Sequence, residues 1–271
     1  MLSFESRLLA KSFIKNYSNL SLLSWLKLFW SDFKEIGFIY LNKKQFYLNN
    51  KSNFLFQFDE IFNKQIYFFK SDTKKIKIID CGSNIGLSVL YFKWLYPKSS
   101  IIAFEPNPKT FQILSKNISR SQEKDILLIP KALWSFKKIV RFNADLYDAS
   151  AIADLEDQHS EFVNVETTSL RPYLQEPVDF LKLDIEGAET EVLNDISQDL
   201  HRVKHLFVEY HSYANQDQTL HEILEIITQA GFRYYMERTG VYQSQPYLDK
   251  LELGSEVDLQ LNIFAYRSLK I

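Results

Sequence analysis

Glycine and acidic residues follow two apolar segments at a spacing that is typical of a nucleoside-binding site. The apolar segment 76–80 leads into a turn that contains Gly82 and Gly86, and Glu105 follows after about one helix and one strand. In a βαβ unit the first turn lets a cofactor approach the backbone closely, and the acid accepts hydrogen bonds from ribose hydroxyls. A dinucleotide fold requires G-x-G-x-x-G, but Asp80 stands where the first glycine should be. The pattern therefore disfavours a nicotinamide cofactor.

The other candidate cofactor contacts lie around this turn and after the strands that follow it. Asp80 is expected to organise the turn and to face the cationic end of the ligand, although a simple turn cap fits it too. Asn107 can cap the next helix, contact the cofactor, or do both. Gly82 and Gly86 also suit an ordinary turn. The predicted cofactor-binding set is Asp80, Gly82, Ser83, Asn84, Gly86, Glu105, Pro106, Asn107 and Ala132.

Two charged residues interrupt the apolar segment 178–185. Strand alternation places Lys182 and Asp184 on one face of this segment. An ammonium group in so apolar a strand is costly to bury unless an acid pairs with it. Asp184 stands at the strand end, where reacting atoms are expected. Lys182 is therefore expected either to contact substrate or to form an internal ion pair with Asp184, Glu186 or Glu209.

Glu209 lies in the next predicted strand, 203–210, and His211 follows this strand directly. Strand alternation places both side chains on one face. The carboxyl ends of parallel strands meet at one edge of a sheet, so these side chains are expected close to Asp184. An imidazole with an ordinary pKa of ~6.5 accepts a proton at neutral pH. His211 is therefore the candidate base, and the alternative is a histidine that only donates hydrogen bonds in the core or at the surface.

Strand and helix patterns alternate from Lys75 onward, which predicts an α/β fold with a mostly parallel sheet and helices on both faces. The predicted strands are 76–80, 101–105, 125–129, 178–185, 203–210, 232–237 and 260–266. The predicted helices are 87–95, one that begins at Asn107-Pro108, 188–196 and 220–230. Because no crossover helix separates the last two strands, they can pair antiparallel. An insertion holds strands 139–142 and 162–167 around an acidic lid or loop, 149–161.

The first 74 residues are predicted to form an extension, and residues 75–271 the main domain, with the boundary in the polar linker 70–75. Segments 38–41 and 45–48 predict a β-hairpin. An apolar stripe at helical spacing predicts a helix before the hairpin, which packs on the domain, forms a homodimer, or lies on a membrane surface. The stripe consists of Leu22, Trp25, Leu26, Phe29 and Phe33.

Composition narrows the classes of partner. Lys plus Arg (32) almost balance Asp plus Glu (34), so no nucleic-acid partner is expected. Neither a signal peptide nor the ~20 apolar residues of a transmembrane segment is recognisable. The single cysteine, Cys81, excludes an intrachain disulfide and is interpreted as a small buried residue in a reducing compartment. A cytoplasmic location is therefore predicted.

Four blocks of this sequence together resemble the FkbM family of S-adenosylmethionine-dependent methyltransferases. They read IIDCGSNIG (78–86), FEPN (104–107), VETTSL (165–170) and DFLKLDIEGAE (179–189), and the resemblance covers roughly residues 59–264. It implies a seven-stranded Rossmann-like class I methyltransferase sheet with an antiparallel last strand. It also implies O-methylation of hydroxyls on sugars, polyketides or related metabolites. The run Lys131-Ala132-Leu133-Trp134-Ser135 departs from the family, which tends to have asparagine-alanine-leucine before an acidic turn.

The implied methyl transfer is an in-line displacement, so much of the acceleration should come from positioning the acceptor. The acceptor hydroxyl must lose its proton to a base such as His211 or Asp184, or be acidified by a bound cation. Asp184 and Glu209 can hold a divalent cation such as Mg²⁺ through oxygen ligands, although carboxylates without a metal explain the same residues. The predicted catalytic set is Asp184, His211, Glu209 and Lys182.

The sequence thus predicts a cytoplasmic S-adenosylmethionine-dependent O-methyltransferase that acts on a small-molecule or glycan hydroxyl. Two alternatives stay open at this point. One is a nucleotide-linked oxidoreductase on the same kind of fold. The other is a non-catalytic cofactor-binding module whose N-terminal helix recruits a partner or a membrane.

Overall fold

The structure is a computed structural model that describes residues 24, 28, 37–71, 73, 75–143, 162–214, 216–240 and 257–267. The predicted helix stripe (Leu22, Trp25, Leu26, Phe29, Phe33) and the acidic segment 149–161 lie outside these residues. Within the described part of the chain, no helix is long and apolar enough to cross a bilayer.

The described part of the extension contains the predicted hairpin, which the structure confirms. Strands β1 (Gly37–Leu41) and β2 (Lys44–Leu48) pair antiparallel. Helix α1 (Lys51–Phe58) follows, with Asn50 as its N-cap, and continues into a π-helical turn, Asp59–Asn63. A π-helical turn often marks a functional site, because the wider turn changes the direction of the side chains that follow it. Here it carries Glu60, which lines the cleft described below.

The main domain alternates strands and helices as predicted. Its elements are β3 (Lys77–Cys81), α2 (Leu87–Leu95), β4 (Ser100–Phe104), α3 (Pro108–Ser121), β5 (Ile126–Ile129), β6 (Ala132–Leu133), β7 (Ile139–Asn143), β8 (Phe162–Thr168), β9 (Val178–Leu183), α4 (Glu189–Ile196), β10 (Val203–Tyr213), α5 (Leu220–Gln229), β11 (Arg233–Arg238) and β12 (Val257–Tyr266). Short 3₁₀ turns, Arg171–Leu174 and Ser197–Arg202, precede β9 and β10.

The central sheet has seven strands in the order β11-β12-β10-β9-β3-β4-β5. β3 pairs parallel with β4 and β9, and β10 pairs parallel with β9, whereas β12 is antiparallel to both β10 and β11. This confirms the predicted mostly parallel sheet with an antiparallel last strand. β7 and β8 of the insertion pair with each other outside this sheet. Strand β10 continues to Tyr213, further than predicted, because it pairs with β12 as far as Val257.

The two faces of the sheet carry separate apolar cores, as the alternation in β9 predicts. Phe180 packs on one face with α2, α3 and the extension, and Leu181 and Leu183 pack on the other face with α4 and α5. Phe54 and Phe58 of α1 belong to the same core as Phe180. The extension therefore shares a core with the sheet, which places α1 beside the carboxyl ends of the strands. The domain boundary at 70–75 stays a prediction.

Candidate active site

A cleft of about 960 Å³, a volume that includes the open solvent at its mouth, lies at the carboxyl ends of the sheet strands. This is the edge at which open parallel sheets bind ligands. The residues that line it are Asn53, Phe56, Gln57, Glu60, Ile61, Ile66, Tyr67, Gly82, Ser83, Asn84, Ser88, Glu105, Lys182, Asp184, Glu186, Glu209, Thr239, Gln260 and Asn262.

A smaller pocket shares part of this lining. Gly82, Glu105, Asp184 and Glu186 belong to both, and the smaller pocket adds the predicted contacts Pro106 and Ala132. The structure therefore brings most of the predicted cofactor residues to one place, together with three of the four predicted catalytic residues, Asp184, Glu209 and Lys182.

The glycine turn is held by hydrogen bonds to the end of β4 and lies in close contact with the residue that follows β9. The backbone N–H groups of Gly82 and Ser83 both donate to the carbonyl of Phe104, at 3.0 and 2.9 Å. Gly82 has a φ of +83°, and a Cβ atom there would lie 1.7 Å from the carbonyl oxygen of Asp184. Only glycine fits this position, because any side chain would collide with the backbone of the neighbouring strand.

Glu105 faces the turn, as the spacing predicts. Its carboxylate accepts hydrogen bonds from the backbone N–H groups of Asn84 (3.0 Å) and Asn107 (2.8 Å). Burial raises the pKa of Glu105 to about 7, and these two N–H groups partly oppose the shift. The two bonds fix the carboxylate at the cleft wall, and each oxygen keeps a lone pair for a ligand hydroxyl.

Asn107 and Gly86 lie at the starts of the helices α3 and α2 that follow the site. The Oδ1 atom of Asn107 accepts from the backbone N–H of Lys109 (2.9 Å) and Thr110 (3.3 Å), which confirms the predicted cap of α3. Gly86 is the residue before α2 and faces Leu114 of α3. Neither residue is among those that the structure shows lining the two pockets. Their direct contact with a cofactor stays a prediction.

Asp80 is placed differently from the expectation that it faces the ligand. Its side chain is fully buried and lies beneath the cleft, where it accepts a hydrogen bond from Ser88. The ammonium group of Lys182 lies 3.5 Å from it. Asp80 is the next-to-last residue of β3, and its carboxylate lies in the interior between β3 and α2. It supports the turn from beneath, and its direct contact with a ligand stays a prediction.

Lys182 forms the internal ion pair that its apolar surroundings require. Its Nζ atom lies 2.9 Å from the Asp184 carboxylate and 2.9 Å from the carbonyl oxygen of Gly82. Burial by itself lowers the pKa of Lys182, but Asp184, Tyr67 and Asp80 outweigh that effect and raise it well above its ordinary value. Asp184 is one of the three predicted partners, and Asp80 is a partner that the sequence did not indicate.

His211 is buried among carboxylates. Its Nδ1 atom lies 3.2 Å from Glu189, and its Nε2 atom lies 3.4 Å from Glu186 and 4.0 Å from Glu209. Burial by itself lowers the pKa of His211, but Glu186, Glu189 and Glu209 raise it well above the ordinary value. The surrounding carboxylates favour the protonated ring, and the role of His211 as the base stays a prediction.

Glu189 is a site residue for which the sequence suggested no role. It is 1% exposed, and besides His211 its carboxylate binds the backbone N–H groups of Ile185 (3.0 Å) and Gly187 (3.0 Å). It therefore shapes the loop that joins β9 to α4 and carries Asp184 and Glu186. A carboxylate in the first turn of a helix was a visible signal, but the same position also suits the helix dipole alone.

The predicted metal pair, Asp184 and Glu209, lines the cleft. Among the described residues, one set of three potential ligands, Asp184, Glu186 and His211, has atoms within 4.8 Å of one another. Lys182 lies 2.9 Å from Asp184 and His211 lies 3.4 Å from Glu186, so both carboxyl groups already have partners within the protein. A divalent cation at this set stays a prediction, and the function proposed below does not require one.

The sheet order, the antiparallel last strand and the glycine turn facing Glu105 define a class I methyltransferase fold. A family model described as "Methyltransferase FkbM domain" matches residues 80–234, more than half of the chain. The chain belongs to the FkbM methyltransferase family, which confirms the resemblance seen in the sequence blocks.

Three curated relatives are methyltransferases. The chain is 26% identical over 193 residues to methyltransferase sdnD of Sordaria araneosa, which covers 58% of this chain and 74% of that protein. It is 29% identical over 146 residues to methyltransferase 1 of Beauveria bassiana, which covers 45% of this chain and 59% of that protein. It is 28% identical over 137 residues to the hexuronic acid methyltransferase AglP of Haloferax volcanii, which covers 49% of this chain and 55% of that protein. The chain thus spans little more than half of the second and third relatives.

Among solved structures, a methyltransferase FkbM from Methylobacillus flagellatus KT is similar to this chain with a TM-score of 0.49 at 14% identity. The likeness covers 79% of this chain and 52% of that chain.

Proposed function

We propose that the protein transfers a methyl group from S-adenosylmethionine to a hydroxyl of a sugar, a glycan or a secondary metabolite. The observation that carries this proposal is that the Glu105 carboxylate, fixed by two backbone N–H groups, lines the same cleft as Asp184 and Glu209. Family membership supports the cofactor, and a relative that is named as a hexuronic acid methyltransferase supports a sugar acceptor.

The cofactor supplies an electrophilic methyl group on a sulfonium. The chain holds it with the glycine turn and with Glu105, whose free lone pairs accept from ribose hydroxyls. Gly82, Ser83 and Asn84 form the turn, and Pro106 and Ala132 of the smaller pocket bound the adenine side. Five acidic groups, Asp80, Asp184, Glu186, Glu189 and Glu209, surround only two cationic partners, Lys182 and His211, and this excess of acidic groups favours a cationic sulfonium.

Glu209 is the base in this proposal. Burial raises the pKa of Glu209 to about 7, Asp184 adds to the shift, and His211 and Lys182 oppose it. A carboxylate with a pKa near the working pH is well suited to accept a proton from a hydroxyl. The alternatives are weaker, because Asp184 is paired with Lys182, and the carboxylates around His211 raise its pKa and favour its protonated form. His211 positions Glu186 and Glu189 instead.

Family membership favours methyl transfer over the oxidoreductase alternative. The remaining predictions rest on the sequence patterns alone. A cytoplasmic location, the lack of a nucleic-acid partner and a homodimer through the N-terminal extension stay predictions. The non-catalytic alternative differs from the proposal in one observable, which is methyl transfer itself.

Calorimetric titration with S-adenosylhomocysteine tests the cofactor assignment. Glu105→Ala should weaken binding at least 30-fold, whereas Glu176→Ala, which removes a carboxylate that is 80% exposed, should leave it unchanged. NAD should not bind. Equal affinity of the Glu105→Ala protein and the parent would refute the assignment.

Transfer of an isotope-labelled methyl group to candidate hydroxyl compounds tests the reaction. Glu209→Gln should lower turnover at least 100-fold and keep the affinity for S-adenosylhomocysteine. If cofactor binds but the labelled methyl reaches no acceptor, the chain is a binding module and the proposed activity is wrong.

A further inference from the structure

Part of the cleft lining is not used by the cofactor assignment. One group comes from α1 and the π-helical turn after it, namely Asn53, Phe56, Gln57, Glu60 and Ile61. A second group comes from the antiparallel last strand, namely Gln260 and Asn262, which lie beside Glu209 of β10. Resting on the proposed function, we propose that these two groups form an acceptor subsite for an uncharged polyhydroxyl ring, such as a neutral sugar unit, and that the subsite rejects sugar carboxylates.

Asn262 is the residue that marks the subsite. Its side chain is 2% exposed and lines the cleft, yet its Oδ1 atom has no hydrogen-bond partner among the described residues. A buried polar atom without a partner is unfavourable, so a ligand hydroxyl that donates to it removes that cost.

The strand register places Asn262 next to the proposed base. Asn262 and Glu209 are directly paired across β12 and β10, so their side chains lie on the same face at neighbouring positions. Gln260, one pleat along β12, donates through its amide to Glu209. A ring that donates one hydroxyl to Asn262 therefore has a neighbouring hydroxyl within reach of Glu209.

The charges in the cleft determine which rings are accepted. The described lining contains five carboxylates, Glu60, Glu105, Asp184, Glu186 and Glu209, and one ammonium group, that of Lys182. Lys182 is engaged by Asp80 and Asp184, Lys64 by Glu60, and His211 lies between Glu186 and Glu189. A ligand carboxylate beside Asn262 would therefore meet the carboxyl group of Glu209 and find every neighbouring cation already paired, which is an effective way to exclude a close analogue.

The uncharged lining matches hydroxyl groups. Asn53, Gln57, Gln260 and Asn262 carry amides, which both donate and accept hydrogen bonds, as sugar hydroxyls do. Phe56 and Tyr67 add aromatic surface to the same cleft. Amides with aromatic surface and no available cation select a neutral ring over a sugar acid, because each hydroxyl finds a partner whereas the charge of a carboxylate finds no cation.

The test measures sugar binding to the protein saturated with S-adenosylhomocysteine, by calorimetry or ligand-observed NMR at pH 8. The probes are two matched pairs, glucose with glucuronic acid and galactose with galacturonic acid. We expect at least one neutral sugar to bind 10-fold or more tightly than its acid. Acids that bind as tightly as the neutral sugars would overturn the charge argument, and binding of no sugar would overturn the sugar assignment. Failure of S-adenosylhomocysteine itself to bind would instead refute the proposed function.

Two variants test the named residues. Asn262→Asp keeps the shape of the side chain and adds a charge, so it should weaken binding of the neutral sugar at least 10-fold and leave S-adenosylhomocysteine affinity within 2-fold. Asn194→Asp is the matched control, because Asn194 is exposed on α4 outside the cleft. Glu60→Gln should reduce the preference for the neutral sugar at least 3-fold, and Glu176→Gln should not. Unchanged sugar binding in Asn262→Asp would overturn the role of Asn262.

Discussion

The ammonium group of Lys182 lies 2.9 Å from the carbonyl oxygen of Gly82, so strand β9 holds the glycine turn that leaves strand β3. The same ammonium group is paired with Asp184, which lines the cleft, and with Asp80 beneath the turn. One buried cation therefore connects the glycine turn with a carboxylate of the cleft. The position of the glycine turn and the position of the Asp184 carboxylate therefore depend on each other.

Replacing Lys182 by methionine tests this connection. The change removes the cation and leaves Asp80 and Asp184 as uncompensated carboxylates, so we expect a loss of about 3–5 kcal/mol in the free energy of unfolding. Urea denaturation followed by tryptophan fluorescence measures it. The double variant Lys182→Met, Asp80→Asn should regain part of the loss, because it no longer buries an unpaired charge. A single variant as stable as the parent would show that the ion pair is not structurally important.

Replacing Gly82 by alanine tests the close approach of the turn to β9. A Cβ atom at Gly82 would meet the carbonyl of Asp184 at 1.7 Å, whereas at Gly231 the nearest atom is the flexible end of Arg267 at 3.4 Å. Both glycines have a φ above +80°. Gly231→Ala should therefore cost about 1–2 kcal/mol for its left-handed backbone alone. Gly82→Ala should cost more and abolish S-adenosylhomocysteine binding; equal thermal melting temperatures of the two variants would contradict this.

The buried carboxyl of Glu105 should make stability depend on pH. Burial raises its pKa from 4.5 to about 7 on folding, so the folded state binds this proton more tightly than the unfolded state. The free energy of unfolding should consequently fall as the pH rises from about 4.5 to about 7. Glu105→Gln lacks this titration, so its free energy of unfolding should rise by up to about 3 kcal/mol relative to that of the parent across that pH range. Urea denaturation of both proteins at pH 5 and pH 8 measures this change. A stability difference between variant and parent that is the same at both pH values would contradict the raised pKa of Glu105.

The pH dependence of turnover should distinguish Glu209 from His211 as the base. In the parent protein the rate should rise with pH through about 7, where Glu209 loses its proton. His211→Asn should lower turnover by disturbing Glu186 and Glu189 but keep this rise. Glu209→Gln should remove it. A rise that disappears in His211→Asn and survives in Glu209→Gln would return the base role to His211.

The sequence by itself determined the features that depend on local patterns. Apolar runs and caps specify the alternating strands and helices, and Asn107-Pro108 sets the start of α3. The glycine turn and Glu105 identify the cofactor edge, because the length of one βα unit fixes the distance between them along the chain. The burial cost of an ammonium group predicted an internal ion pair as one of two roles for Lys182, beside substrate contact, and the structure shows the pair with Asp184.

Only the tertiary structure decided which residues meet across the sheet. Asp80 and Lys182 come together because β3 and β9 are neighbours, although about a hundred residues separate them along the chain. The protonation state of His211 depends on Glu186 and Glu189, which the loop before α4 brings to it. Asn262 and the residues of α1 reach the cleft through strand order and through the shared core. Charge state and substrate contacts depend on such distant neighbours, and a linear pattern does not contain them.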